Sequence, residues 1–127
     1  MLPYLLVFVG AGLGGVLRLS ANMVCGRYFG LDFPWATFII NISGSTIMGL
    51  VAGYLAFKAG ENWTQNVRLF LTTGILGGYT TFSAFSLDTI LLWERNEYAA
   101  AAFYVFGSVG FAFAGLVAGL ALIRALT

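Results

Sequence analysis

The run from Thr73 to Ser86 carries more chemistry than a simple membrane anchor needs. Its 14 residues include three glycines, five Ser or Thr hydroxyls and two phenylalanines. Lipid offers a peptide group no hydrogen-bond partner, so irregular backbone at membrane depth persists only inside protein or beside a hydrated cavity. Gly77, Gly78 and the hydroxyls of Thr80 and Thr81 predict an unwound stretch, because glycine tolerates positive φ and these hydroxyls cap freed backbone groups. Such breaks bind small ions of either sign; a kinked helix held by its neighbours is the alternative.

Phe82 and Phe85 lie three residues apart within this run, on one helix face. An aromatic ring has a positive edge and a negative face. Two rings turned edge-on along a narrow path would coordinate an anion without the strong trapping that a buried Arg or Lys causes. Ordinary packing is the alternative, since the chain has 12 phenylalanines. The residue types alone do not decide the sign of the ion.

Polar side chains recur on one face of the preceding apolar segment. Thr37, Asn41 and Ser45 are four residues apart, and Met48 follows them on the same face. An amide near mid-bilayer is costly to leave without partners, so Asn41 is expected to face a partner or a hydrated path. The two hydroxyls also fit hydrogen bonds between helices.

A shorter polar stripe, Tyr104 and Ser108, stops at Ala112 in the last apolar segment.

Two ionisable residues are expected near span ends. Arg18 should lie about 10 Å inside the end of its helix, where it can snorkel or attract anions into a vestibule. Asp88 should lie near a mouth of the path, with a salt bridge to an arginine as the alternative. The absence of charge at the span centres disfavours a proton-coupled pump.

The composition is that of an integral membrane protein. Of the 127 residues, 60% are hydrophobic and only 9% charged, with a mean hydropathy of +0.91. The near-balance of six Lys/Arg with five Asp/Glu gives no electrostatic case for nucleic acid as a partner. A chain with no His and one cysteine, Cys25, cannot form the usual zinc sites, a Ser-His-Asp triad or an internal disulfide. An enzyme is therefore not expected.

Four segments are long and apolar enough to cross a bilayer, which needs about 20 residues per helix. The predicted spans are 3–24, 35–57, 67–93 and 98–123. They make a single all-α membrane domain over residues 1–127, whose third helix is broken near its middle. No basic stretch precedes the first apolar run, so we expect it to be retained as a spanning helix rather than cleaved as a signal peptide.

The basic residues predict insertion in both orientations. With four spans, both termini share a side, so Lys58, Arg68 and Arg124 lie on one face and Arg18, Arg27 and Arg95 on the other. A Lys/Arg excess in short loops normally sets orientation, and here that excess is zero. The alternative is that one loop or a partner fixes the topology.

Each span also carries two glycines at four-residue spacing, which let helix backbones approach closely in lipid. The pairs are Gly10/Gly14, Gly49/Gly53, Gly74/Gly78 and Gly115/Gly119. They suit packing within the chain or between two copies. A protein this short has little interior for a polar pathway, so two copies are expected to build one.

At these residues the chain resembles the fluoride channels of the Fluc (CrcB) family. The most specific match is Thr73-Gly74-x-x-Gly77-Gly78-x-Thr80-Thr81-Phe82-Ser83-x-Phe85-Ser86. Supporting matches are Gly14-x-x-x-Arg18, Thr37-x-x-x-Asn41 after Pro34-Trp35, and Tyr104 with Ser108. Length and span plan agree as well, so the similarity covers essentially the whole chain. The sequence departs from the family pattern at four positions: Ala36, Ala84, Asp88 and Ala112.

The resemblance implies an antiparallel, dual-topology homodimer in the bacterial inner membrane, with membrane lipid around it and two symmetry-related fluoride pores. The pore residues it implies are Phe82, Phe85, Asn41, Ser83, Ser108, Tyr104 and Thr37. Arg18 and Asp88 would line the vestibules. A structural sodium ion would be held at the dimer interface by the main-chain carbonyls of Gly77 and Thr80.

The expected function is therefore passive, selective fluoride export, with neutral donors and ring edges replacing the ion's hydration shell. Two other classes remain open from sequence. A small dual-topology drug or guanidinium exporter shares the size and span count but relies on a glutamate in its first span, which is absent here. A non-transporting assembly subunit would have the glycine pairs without requiring Asn41 or the phenylalanine pair.

Overall fold

The computed structural model describes residues 1–57 and 61–126, and helix is the only regular secondary structure in these ranges. The described residues include four helices that are long and apolar enough to cross a membrane. These are Leu2–Phe29, Trp35–Ala56, Gln65–Glu94 and Tyr98–Ala125. The prediction of an all-α protein with four spanning helices is therefore confirmed.

The first helix, α1 (Leu2–Phe29), is five residues longer at its C-terminal end than its sequence pattern predicts. Gly26 was expected in a connection but lies inside the helix. The helix ends where Gly30 takes φ 79° and ψ −173°, a backbone conformation with positive φ that favours glycine. Because the helix continues to Phe29, Arg18 lies about 16 Å from its end rather than about 10 Å.

The second helix, α2 (Trp35–Phe57), has the predicted bounds and packs most extensively against the last helix, α6 (Tyr98–Ala125). Glycines make this contact close. A Cβ atom added at Gly49 would collide with the carbonyl oxygen of Leu116, and one at Gly119 would lie 2.7 Å from the backbone nitrogen of Leu50. The backbones of α2 and α6 are therefore in direct contact, as small residues allow between helices in lipid.

The third span consists of several segments rather than one regular helix. It comprises α3 (Glu61–Arg68), the π-helical segment π1 (Leu69–Leu76), the short α4 (Gly77–Tyr79) and α5 (Phe82–Glu94). Thr80 and Thr81, between α4 and α5, have extended backbone, with ψ angles of 159° and 125°. We call these two residues the junction.

The remaining glycine pairs join α1 to π1 and α4. A Cβ atom at Gly10 would lie 2.9 Å from Cα of Gly74, and one at Gly14 would collide with the carbonyl oxygen of Ile75. A Cβ atom at Gly78 would likewise collide with backbone of Ala11. The glycine pairs thus serve packing within a single chain, one of the two roles that the sequence left open.

Replacing Gly14 with alanine should lower the melting temperature of the purified protein, whereas Gly12→Ala should leave it unchanged or raise it. Alanine favours a helix by about 1 kcal/mol over glycine, and at Gly12 nothing lies within 4 Å of the added methyl group. At Gly14 the methyl group meets backbone that cannot swing away, and overpacking costs about 1 to 3 kcal/mol. Thermal unfolding in detergent measures both. Equal stability of the two variants would contradict this packing.

The short α5 packs against α6 around a small aromatic core. Tyr104, Leu92 and Ile40 are the largest fully buried side chains among the described residues. At the same end, Arg95 donates a hydrogen bond to the Asp32 carbonyl (2.6 Å) and pairs with Glu97 (2.9 Å). Lys58, which enters the predicted charge balance, lies outside the described residues, and dual topology stays a prediction.

Candidate ion pathway

An open cavity of about 390 Å³ lies where α2, the junction, α5 and α6 meet. Its lining contains no charged residue among those that the structure describes. The lining residues are Asn41, Gly44, Ser45, Met48, Thr80, Thr81, Phe82, Phe85, Ser108, Val109, Ala112 and Phe113. Four of the seven predicted pore residues therefore line one cavity: Asn41, Phe82, Phe85 and Ser108.

The Asn41 amide makes two hydrogen bonds with the junction. Its Nδ2 donates to the carbonyl oxygen of Thr81 (2.9 Å), and its Oδ1 accepts from the backbone N–H of Thr81 (2.8 Å). This side chain thus gives the Thr81 N–H the acceptor that it loses where the backbone leaves the helix, and it adds a donor to the Thr81 carbonyl. The sequence predicts a costly amide that needs a partner or a wet path; the structure supplies the partner, and one N–H of Nδ2 remains beside the cavity.

The extended residues are the two threonines rather than the glycines before them. Gly77 has helical φ and ψ of −64° and −36°, and Gly30 is the only glycine with positive φ in the described ranges. The glycine part of the sequence-based reason for unwinding, positive φ at Gly77 and Gly78, is therefore wrong, whereas the expected bonding of the Thr80 and Thr81 hydroxyls to backbone is confirmed. Glycine is needed at Gly44, where an added Cβ atom would collide with the Thr80 side chain, so α2 can approach the junction.

Both junction hydroxyls form hydrogen bonds with backbone groups, as Ser/Thr side chains do at helix ends. Thr80 Oγ1 donates to the Leu76 carbonyl (2.9 Å), and Thr81 Oγ1 accepts from the backbone N–H of Ala84 (3.2 Å), capping α5. The exposed Ser83 places its hydroxyl 3.3 Å from Thr81 Oγ1. Ser83 does not line the cavity of this single chain.

Ser108 is the informative member of the lining. Its residue is only 5% exposed, and among the described side chains its Oγ is the only buried polar atom without a hydrogen-bond partner. A buried hydroxyl without a partner costs roughly 1 to 3 kcal/mol. A site that keeps such a group beside a cavity is equipped to donate a hydrogen bond to something that enters it.

Aromatic rings form a row from the cavity into the core. The Phe82 and Phe85 ring centroids lie 5.7 Å apart, and those of Phe85 and Tyr104 lie 5.1 Å apart. Tyr104 is fully buried and donates its hydroxyl to Asp88 Oδ2 (3.0 Å). Asp88 thus binds a tyrosine rather than the arginine that the sequence left open. At the other end of the row, Phe82 is 78% exposed.

Five predicted pore and vestibule residues lie away from the cavity lining in one chain: Ser83, Tyr104, Thr37, Arg18 and Asp88. Thr37 and Tyr104 are both buried. Arg18 is partly exposed on α1, whose contacts are mainly with π1 and α4. Sequence reasoning missed Gly44, Val109 and Phe113 as lining residues. The four-residue spacing of Gly44 to Met48 and of Val109 to Phe113 was a signal that could have indicated them.

A cation at the junction would depend on main-chain oxygen. No cluster of three or more His, Cys, Asp or Glu side chains occurs in the described part of the chain. The Thr81 N–H, which would close the helical hydrogen bond to the Gly77 carbonyl, donates to Asn41 instead. Carbonyls freed at half-helix ends are the ligands that membrane proteins use for sodium. Gly77 therefore offers chemistry that fits such an ion.

The sequence matches one protein family along most of its length. The family model described as CrcB-like protein, Camphor Resistance (CrcB), matches residues 5–120. A relative from Rhodopseudomonas palustris (strain BisB5), named Fluoride-specific ion channel FluC, is 64% identical over 126 residues, covering 99% of this chain and 100% of the relative.

Two further relatives show the same agreement. One from Nitrobacter hamburgensis, named Fluoride-specific ion channel FluC 2, is 62% identical over 98% of both chains. Another from Methylobacterium nodulans, named Fluoride-specific ion channel FluC, is 57% identical, again over 98% of both chains. The similarity therefore extends over all four spans.

Proposed function

This chain belongs to the CrcB family, and from that premise we propose that it is a fluoride-selective channel that exports fluoride passively. The names of its relatives and its four apolar helices indicate that it is a multi-pass protein of the bacterial inner membrane. They also indicate a channel rather than an enzyme. The sequence predicts both.

The observation that carries the proposal is the unpartnered Ser108 hydroxyl in an uncharged cavity. Fluoride is small and strongly hydrated, so a pore must replace most of its water while leaving the ion free to move on. The Ser108 O–H, the remaining Asn41 N–H and the positive ring edges of Phe82 and Phe85 are neutral donors of this kind. A buried arginine in their place would bind the anion too tightly.

We propose that two antiparallel copies complete the pathway. Phe82 is 78% exposed in one chain, although it adjoins the cavity, so a second copy would enclose its ring. The equal charge count of the two faces supports opposite insertion. In this arrangement the third span is broken at the junction, and each of two pores takes Phe82 and Phe85 from both subunits. Ser83, Thr37 and Tyr104 extend the hydroxyl track, with Arg18 and Asp88 in the vestibules.

The structural sodium proposed at the dimer interface would be held by the carbonyls of Gly77 and Thr80. In this chain the Thr81 N–H donates to Asn41 rather than to the Gly77 carbonyl, so that carbonyl lacks its helical partner. This supports the proposed site. When bound, the ion would neutralise the oxygen dipoles of two facing junctions. The chain's own contribution is to hold those carbonyls at the end of α4.

Fluoride efflux from liposomes containing the purified protein tests the function. We expect efflux that follows the fluoride gradient, with chloride efflux near the protein-free background. Ser108→Ala should slow fluoride efflux roughly fivefold, because losing one hydrogen bond of about 1 kcal/mol from the rate-limiting complex has that effect. Ser20→Ala is the control, since that hydroxyl donates to the Val16 carbonyl on an exposed face of α1. Absence of fluoride efflux would favour the assembly subunit; equal chloride efflux would contradict selectivity.

A further inference from the structure

A second cavity, of about 430 Å³, lies between α2 and the start of the third span. Its lining residues are Met48, Ala52, Leu55, Ala56, Arg68 and Thr72. Five of the six are uncharged. The Thr72 hydroxyl donates to the Arg68 carbonyl, so the exposed Arg68 guanidinium supplies the main polar character of this cavity. Among the side chains that the structure describes, Arg68 has no ion-pair partner.

The two cavities follow one face of α2. Asn41 and Ser45 line the first cavity, Ala52 and Ala56 line the second, and Met48 lines both. These positions are separated by three or four residues, so they stack on a single helix face. From Asn41 to Ala56 this face is about 22 Å long. The cavities are therefore consecutive along one line through most of the membrane.

Met48 is the one residue, among those that the structure describes, that lines both cavities. Its side chain is partly exposed and uncharged, and a methionine is flexible enough to change rotamer as an ion passes. An apolar constriction between wetter regions controls conduction by excluding or admitting water. A lone cation at a mouth raises the local concentration of small anions, an effect that salt screens.

We propose that the second cavity is a mouth of the same pathway, in which Arg68 attracts small inorganic anions and Met48 forms the constriction that leads to Asn41 and Ser108. This inference rests on the proposed channel function. The inference adds a route and two residues to the proposed channel. Arg68 is an entry site that selects by charge, and Met48 is a constriction that selects by size.

Cysteine modification tests the position of Met48. In a Cys25→Ala background, fluoride efflux through Met48→Cys is measured in the same liposomes before and after a bulky methanethiosulfonate reagent. We expect at least a tenfold loss on modification. Ile47→Cys is the control, because Ile47 is exposed on α2 but lines neither cavity. A Met48→Cys protein that conducts and is no more sensitive than Ile47→Cys overturns the route, while absence of efflux from unmodified wild-type protein overturns the channel function itself.

Salt dependence tests Arg68. Arg68→Gln should slow fluoride efflux about threefold at an ionic strength of about 0.01 M and have almost no effect at about 1 M, where the Debye length falls to about 3 Å. The control is Arg27→Gln, which removes an exposed arginine that lines neither cavity. A loss that is equal at both ionic strengths, or equal in the two variants, would overturn the entry role of Arg68.

Discussion

Asn41→Asp should reduce fluoride efflux by about two hundredfold while leaving the helices folded. A carboxylate about 5 Å from a permeating anion repels it by about 3 kcal/mol at an effective dielectric constant of about 20, and that energy corresponds to this change in rate. The variant keeps one of the two contacts with the junction, since Oδ1 can still accept from the Thr81 N–H. It loses the donor that meets the Thr81 carbonyl.

Two further variants separate charge from loss of the junction contact. Asn41→Ala removes both hydrogen bonds without adding charge, so its effect should be smaller on efflux and larger on thermal stability, at about 1 to 3 kcal/mol. Asn66→Asp adds the same charge at an exposed asparagine of α3 that lines neither cavity. We expect wild-type efflux from Asn66→Asp at an ionic strength of about 1 M, where salt screens the added charge from the nearby Arg68. Near-normal efflux from Asn41→Asp would remove Asn41 from the ion path.

Phe82→Ile and Phe85→Ile should each lower fluoride efflux at least tenfold without preventing assembly. Isoleucine keeps much of the apolar volume but has no positive ring edge. The loss of one such contact, at about 1.4 kcal/mol or more, accounts for a tenfold change. Efflux and size-exclusion profiles of the same preparations measure the two effects.

Phe106→Ile is the matched control for the phenylalanine variants. Phe106 is 77% exposed in one chain, against 78% for Phe82, yet it lines neither cavity. If exposure to lipid alone explained the effect of Phe82, both substitutions would slow efflux equally. Unchanged efflux in both Phe82→Ile and Phe85→Ile would exclude the rings from conduction.

The four spanning helices could be predicted from sequence, because length and hydropathy identify each span. The end of α1 could not be predicted, since glycine at position 26 is typical of a turn while the helix around it continues to Phe29. The π-helical turn at Leu69–Leu76 has no side-chain signature either. The glycine pairs were recognised, but whether they join segments of one chain or two copies depends on helix positions that periodicity does not specify.

For the site, residue types indicated which groups need partners and not which partners they find. Asn41 was recognised as too costly to leave alone, yet nothing in its neighbours points to Thr81, which lies 40 residues away. Asp88 was expected near a mouth of the path or in a salt bridge with an arginine, and nothing in its neighbours points to the tyrosine hydroxyl 16 residues along the chain that binds it. The unpartnered state of Ser108 is a property of packing on all sides, so only the assembled helices reveal it.

The paired hydrogen bonds between Asn41 and Thr81 also determine the relative height of two helices. A slide of α2 along the third span by a single turn, about 5.4 Å, would separate both donor and acceptor pairs at once. The Thr81 N–H and carbonyl would then need replacement partners in the cavity that Thr81 lines. The amide therefore permits one vertical alignment of α2 against the third span. It holds the two junction threonines at the same depth as the neighbouring rings.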